Sequence, residues 1–324
     1  MKIGILGSGA FGSALATVLV DNNNEVLMWT PFEEEKNFIQ KTRLIKSLPG
    51  VRLNRKIKLT TNIDEVLEFS KLLVIAIPAK NTSTLLDSIK DKFNKDVHIC
   101  IATKGLEEST GLFMHELVKK YLNTDKICVL SGPSFAIDLF KKSQVGLALA
   151  SMNQETADIF EKVFENSYFK LRQNKDIIGT EICGSIKNVI AIASGILDGL
   201  NSSESTRAML LTEALHDMDS IITNLGGSEK TILSYAGFGD LLLTATSKKS
   251  RNFSYGRLLG SKAPKSEVEA YVSTTTIEGL YTIQSIYKLL KNKRVRIPII
   301  NLIYDIIEGK KKVDSLPEFL INKK

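Results

Sequence analysis

Cysteine and histidine are scarce in this chain, which has three of each in 324 residues. Cys100, Cys128 and Cys183 form an odd, scattered set with no CxxC pair, which excludes a disulfide framework. His98, His115 and His216 lack metal-like spacing, so no metal is expected. No uninterrupted apolar run reaches the roughly 18 residues that a membrane span needs. The stretch Met1–Gly7 is short and has no small-residue cleavage site behind it, so it does not read as a signal peptide. Internal repeats and low-complexity segments are missing as well. These absences leave a chain expected to be soluble and cytoplasmic.

What is present supports folded domains. Hydrophobic residues make up 43% and charged residues 24%, enough for a core in each half. At about 100–200 residues per domain, two domains are expected. The formal net charge of +7 reads as a lysine-rich surface, or as a field that draws anions toward the protein. Lys and Arg are spread along the chain and only Lys310–Lys312 is a run, so a nucleic-acid partner is not expected.

Short apolar runs at Lys2–Leu6, Glu25–Trp29, Lys56–Thr60, Leu72–Ile77, His98–Ala102, Ile127–Leu130 and Gly146–Ala150 alternate with helical patterns. Such alternation predicts an α/β domain with a doubly wound, mostly parallel sheet. Beyond it, Glu181–Leu200, Ser205–Leu225, Lys230–Tyr235, Leu241–Thr246, Thr276–Leu290 and Pro298–Ile307 read as helices. The expected domains are 1–175 and an all-α 176–324, with the boundary inside the polar stretch Arg172–Thr180.

Gly7-Ser8-Gly9-Ala10-Phe11-Gly12 fits G-x-G-x-x-G, follows the first strand and opens a helix over Ser13–Val20. Gly7 permits the tight turn, Gly9 lets backbone approach a pyrophosphate, and Gly12 lets helix and strand pack closely. The helix N-terminus then offers free N–H groups to the anion. The end of the second strand, Trp29-Thr30-Pro31-Phe32, holds neither an acid for the ribose 2′-OH of NAD nor an arginine for the 2′-phosphate of NADP. Glu33, Glu34 and Glu35 come just after and read as the start of a solvated helix. Cofactor preference is left open, with weak discrimination expected.

Ligands of doubly wound sheets bind beyond the carboxyl ends of the strands. Three such ends here carry chemistry: Ile77-Pro78-Ala79-Lys80, Ala102-Thr103-Lys104-Gly105, and Ser131-Gly132-Pro133-Ser134-Phe135-Ala136. Lys104 is placed to meet an anion, or is an ordinary loop lysine. In the second domain, Lys187 is the only charged side chain between Glu181 and Asp198. A helix apolar nearly all round is usually buried, and a lysine inside it must be paired or catalytic unless it snorkels out. Burial by itself lowers a lysine's pKa and suits it to proton transfer. Asp240, in Gly237-Phe238-Gly239-Asp240, is either an N-cap or a partner that orients a lysine. Ser250-Arg251-Asn252 combines a planar guanidinium with two polar donors, as a phosphate clamp or a plain polar loop.

Taken together, these residues closely resemble the bacterial-type NAD(P)-dependent glycerol-3-phosphate dehydrogenases, over nearly the whole chain. The resemblance rests on the glycine loop, Leu48-Pro49-Gly50, Thr103-Lys104-Gly105, Ser131–Ala136, Gly184 with Lys187-Asn188-Val189, Gly237–Leu241, Ser250-Arg251-Asn252 and Glu278-Gly279. It implies a Rossmann domain followed by a helical one, with the active site in the cleft between them. It implies reversible hydride transfer between NAD or NADP and dihydroxyacetone phosphate, giving glycerol 3-phosphate for phospholipid synthesis. By motif, Lys187 looks like the proton donor or acceptor. Lys104, Gly132, Ser134, Asp240, Ser250, Arg251 and Asn252 look like substrate contacts. Gly7, Gly9, Ala10, Phe11, Gly12, Lys104, Ala136, Arg251 and Glu278 look like dinucleotide contacts. A homodimer is allowed but nothing in the sequence specifies it. Two positions depart from the family: Thr30-Pro31-Phe32 stands where relatives often carry basic residues, and Glu213 where they usually carry arginine.

Two rivals remain at this stage. A dehydrogenase of the same build acting on a hydroxy acid or sugar acid would need a carboxylate site and no phosphate clamp. A non-catalytic dinucleotide sensor would keep the glycine loop and have no use for Lys187.

Overall fold

In the computed structural model, which describes residues 1–290 and 295–322, the chain divides into two compact units. Unit 1 comprises Met1–Lys104 and Phe113–Ile177; unit 2 comprises Gly105–Leu112 and Ile178–Lys324. An eight-residue excursion, Gly105–Leu112, belongs to the second unit and is not signalled by sequence.

Unit 1 contains strands β1 (Lys2–Leu6), β2 (Glu25–Trp29), β3 (Leu44–Ile45), β4 (Leu48–Arg52), β5 (Lys58–Thr60), β6 (Leu72–Ile75), β7 (His98–Ile101), β8 (Ile127–Ser131), β9 (Val145–Ala150) and β10 (Phe169–Asn174). Its helices are α1 (Ala10–Asp21), α2 (Glu33–Thr42), α3 (Ile63–Phe69), α4 (Thr82–Ile89), α5 (Met114–Leu122), α6 (Ala136–Phe140) and α7 (Gln154–Phe164). Eight strands form one sheet in the order β10-β9-β8-β7-β6-β1-β2-β5, parallel except for the β8–β9 pair. β6 and β8 are buried at every residue, as strands covered on both faces should be. The doubly wound α/β expectation is met. From β1 the chain builds outward through β2 to β5, then returns to β6 on the other side. This reversal opens a crevice at the carboxyl ends of β1 and β6, where ligands of such sheets bind.

Two features of unit 1 escaped the sequence reading. β3 and β4 form a small antiparallel ribbon too short to show a period. β10 is the edge strand; its alternation of buried Phe169 and Leu171 with exposed Lys170 and Arg172 reads as a polar stretch.

Unit 2 is helical: α8 (Ile177–Gly199), α9 (Glu204–Asn224), α10 (Asp240–Thr246), α11 (Arg251–Gly260), α12 (Lys265–Thr274), α13 (Glu278–Leu290), α14 (Pro298–Ile307) and α15 (Ser315–Asn322). No strand occurs in it among the described residues. Of the described helices, α8 is the one long and apolar enough to cross a membrane, yet 94% of its most apolar window is buried inside the protein. The Gly105–Leu112 excursion is fixed by Glu107, whose carboxylate accepts hydrogen bonds from Ser109 Oγ and from the amide and hydroxyl of Thr110. Burial pushes this carboxyl up, but those hydrogen bonds more than offset it and hold it below its ordinary value. Glu213 lies half-buried on α9.

The centre of unit 2 is a seam of glycines. Gly195 of α8 sits against the carbonyl of Phe253, and Gly256 and Gly260 of α11 sit against the carbonyls of Ile192 and Ile196. A Cβ at any of the three would overlap a backbone oxygen. Backbone contact this close locks α8 and α11 in one register, and with them Lys187 and Arg251. Glycine inside a helix costs about 1 kcal/mol relative to alanine, so Gly256→Ala would stabilise α11 in isolation. In the folded unit the sign reverses, because the helices must part: we expect a loss of about 1–3 kcal/mol. Chemical denaturation checks it, and an unchanged or raised midpoint would show that the seam has slack.

Candidate active site

In unit 1 the candidate residues begin with the loop between β1 and α1. The sheet register runs straight into it: Gly7 N–H donates to the carbonyl of Trp29 at 3.0 Å, and Ala76 N–H to that of Leu6 at 2.9 Å. Gly7 then turns with φ +123°, a left-handed value that favours glycine, where a Cβ would lie 2.5 Å from the Ala76 carbonyl oxygen. A Cβ at Gly12 would overlap the Gly7 carbonyl, whereas one at Gly9 would have nothing within 4 Å. Gly9 is the N-cap of α1 without a side-chain cap, and no acid lies in the first turn. A bare, uncapped helix end beneath open space is the cradle a pyrophosphate needs, so these residues fit a dinucleotide. Ala10 and Phe11 begin the helix at that end.

Lys104 follows β7 and crosses toward the neighbouring strand ends. Its ammonium donates to the Gly132 carbonyl at 3.3 Å and lies 5.9 Å from the centre of the Phe11 ring. Ser134 Oγ donates to the same carbonyl at 3.3 Å. Gly132 itself has φ +153° and is pressed against Leu147, leaving no room for a side chain. Ala136 opens α6 four residues on. Phe11, Lys104, Gly132 and Ser134 are therefore one cluster.

In unit 2 the candidate residues centre on α8, where every residue from Gly179 to Leu197 is buried. Lys187 is 7% exposed and Asp240 only 1%. The two form an ion pair through Lys187 Nζ and Asp240 Oδ1, which removes the snorkelling alternative. Asp240 is the first helical residue of α10, behind a five-residue π-type turn, Tyr235–Gly239, that departs from helical geometry at Gly237. It is a partner for the lysine and not a cap. Desolvation disfavours the ammonium while the carboxylate favours it, so the two influences on Lys187 oppose each other.

A second network meets the first on α8. Asn188 donates to Glu278 Oε2 at 2.9 Å and accepts from Asn252 Nδ2 at 3.0 Å. Asn252 Oδ1 in turn accepts the Gly279 amide at 2.8 Å. Arg251 lies 3.6 Å from Glu278 Oε1 and is half exposed. Ser250 is the N-cap of α11, accepting the Phe253 amide at 3.3 Å. The three residues of the expected phosphate clamp thus form the start of a helix, not a loop. Asn188, next to Lys187, is the hub that holds Asn252 and Glu278, a role its sequence position does not signal. Among the described residues no group of His, Cys, Asp and Glu could hold a metal, and all three cysteines are buried and outside any disulfide.

Comparison with known proteins covers both parts of the chain. The N-terminal family model of NAD-dependent glycerol-3-phosphate dehydrogenase matches residues 2–157, and the C-terminal model matches residues 176–318. Glycerol-3-phosphate dehydrogenase (NAD(P)+) of Bacillus pumilus is 35% identical over 324 residues, covering 99% of this chain and 94% of the relative. That of Halothermothrix orenii is 33% identical with the same coverage. The crystal structure of the Coxiella burnetii glycerol-3-phosphate dehydrogenase, 29% identical, superposes with a TM-score of 0.94 over 99% of this chain and 98% of the other. The hydroxy-acid and sensor alternatives fall away: the chain belongs to the NAD(P)-dependent glycerol-3-phosphate dehydrogenase family, oxidoreductases with a Rossmann-like domain and a helical one.

Proposed function

We propose that this chain reduces dihydroxyacetone phosphate to glycerol 3-phosphate, with Lys187 as the proton donor to the carbonyl oxygen. The observation that carries the assignment is the buried Lys187–Asp240 pair in an otherwise apolar helix. A buried ion pair is weak evidence for stability, since apolar residues of like size often serve as well. Its retention is explained by proton transfer.

The nicotinamide dinucleotide supplies the hydride in this direction and takes it in the reverse. The residues that would hold it are Gly7, Gly9, Ala10, Phe11 and Gly12 at the α1 N-terminus, with Lys104 and Ala136 beside them and Arg251 and Glu278 from unit 2. As the carbonyl carbon gains hydride, negative charge grows on its oxygen. Lys187 Nζ–H gives that oxygen a proton, and Asp240 aims the ammonium while compensating its charge. In the oxidative direction the neutral amine takes the hydroxyl proton back. Arg251 meets the substrate phosphate from the first turn of α11. Ser134, Lys104 and the Gly132 backbone are assigned to the substrate as well, and Asn252 is held for its part by Asn188.

The same reading puts the enzyme in the cytoplasm and its product into phospholipid synthesis. Exposed Leu233, Phe238 and Leu242 favour a homodimer, which light scattering would reveal. The test of activity is direct: absorbance of NADH and of NADPH is followed separately after addition of dihydroxyacetone phosphate. Consumption with at least one of them is expected. No consumption with either would remove the proposed substrate.

A further inference from the structure

The third residue of α2 does not behave as a solvated helix start. Glu33 and Glu34 are exposed, but Glu35 folds back over the glycine loop. Its Oε2 accepts hydrogen bonds from Ser8 Oγ at 2.7 Å and from Thr30 Oγ1 at 2.7 Å. Ser8 is 5% exposed and lies inside the Gly7–Gly12 loop; Thr30 is fully buried and directly follows β2. A carboxylate therefore stands where β2 ends and the loop begins, although no acid occupies the strand end itself. In doubly wound folds this is where the ribose next to the pyrophosphate lies, and where an acid recognises its 2′-OH.

We infer that Glu35 reads the adenine-side ribose and makes the enzyme prefer NADH to NADPH. The inference rests on the dehydrogenase reading and deepens it. A 2′-phosphate brings about −1.5 to −2 charges against this carboxylate. The two hydroxyls that could serve the phosphate, Ser8 and Thr30, already donate to Glu35. Two cations near this edge of the sheet are committed elsewhere. Lys36 pairs with Glu33, and Arg43 spends its guanidinium on the carbonyls of Leu53, Asn54 and Ile57. Among the described residues no hydrogen bond reaches Glu35 Oε1, which leaves that oxygen as an acceptor for a ribose hydroxyl.

The test is equilibrium binding without substrate, by calorimetric titration of the full chain with NADH and with NADPH. NADH should bind at least roughly 30-fold more tightly, the size expected where like charges meet in an interface. Glu35→Gln keeps an acceptor for Ser8 and Thr30 and removes the charge. It should tighten NADPH about 10-fold and weaken NADH only a few-fold, which closes most of the gap. The fragments ADP and 2′,5′-ADP should show the same discrimination and the same loss of it, placing the effect on the ribose. If Glu35 only braces the loop, Glu35→Gln leaves the ratio unchanged and Glu35→Ala weakens both dinucleotides alike; that result overturns the inference. Equal affinity of the native chain for the two dinucleotides overturns it while leaving the dehydrogenase reading intact. Binding of neither overturns both.

Discussion

Lys187→Ala should lower kcat for dihydroxyacetone phosphate by at least about 100-fold, the lower end of what general acid catalysis contributes. NADH affinity should barely change, because the Gly7–Gly12 loop lies in unit 1 and is untouched. Alanine has a second effect, since it leaves Asp240 buried at 1% exposure without its counter-charge. Breaking a buried pair from one side costs about 3–5 kcal/mol and could unfold the variant. The double variant Lys187→Met/Asp240→Asn removes both charges and keeps the volume, so it isolates the chemistry from the fold. It should be folded, bind NADH and still lack the proton donor. Lys187→Arg keeps the charge beside Asp240 but should not rescue, because a guanidinium does not release its proton at working pH. A folded double variant with near-native kcat would take this lysine out of the mechanism, and Lys104 would be the next residue to test.

Arg251→Ala should act on substrate and not on the fold. The side chain is half exposed and Glu278, its ion-pair partner among the described residues, is partly exposed too, so stability should shift little. A charge-assisted hydrogen bond is worth about 1.5–3 kcal/mol, so kcat/KM for dihydroxyacetone phosphate should fall roughly 10–150-fold. Dihydroxyacetone, which has no phosphate, should be used equally poorly by the native enzyme and the variant. Arg251→Lys should recover only part of the loss, since a point charge cannot fork onto two oxygens. Native kcat/KM in Arg251→Ala would move the phosphate contact elsewhere.

Much of this was legible along the chain, where neighbours in sequence are neighbours in space. The glycine loop could be read because strand, turn and helix follow one another within Lys2–Asp21. Lys187 could be read because its helix is apolar on all sides, and burial follows from that pattern. The partners could not be read so directly. Asp240 is 53 residues away, and Asn188 and Asn252 are 64 apart, distances at which only the fold decides who meets whom. α11 was hidden for a different reason. Gly256 and Gly260 look like helix breakers, and their purpose, close passage of α8, is invisible without α8. Glu35 was passed over because an acid was sought on the strand, while the one present reaches back from the first turn of the next helix.

The excursion Gly105–Leu112 bears on how the protein is made. On the ribosome these eight residues emerge long before the rest of unit 2, which begins at Ile178. Gly111 packs beside Ser285 and Leu289 of α13, which appear more than a hundred and fifty residues later. At about 5–20 residues per second, the wait is roughly 8–35 s. Unit 1 can close as soon as Ile177 has cleared the exit tunnel, so the nascent chain carries a folded sheet and an unfinished loop together. A fragment beginning at 178 would be translated without that loop altogether. It should therefore be a poor stand-in for unit 2, more prone to aggregation than the full chain, and better when the 105–112 peptide is supplied in trans.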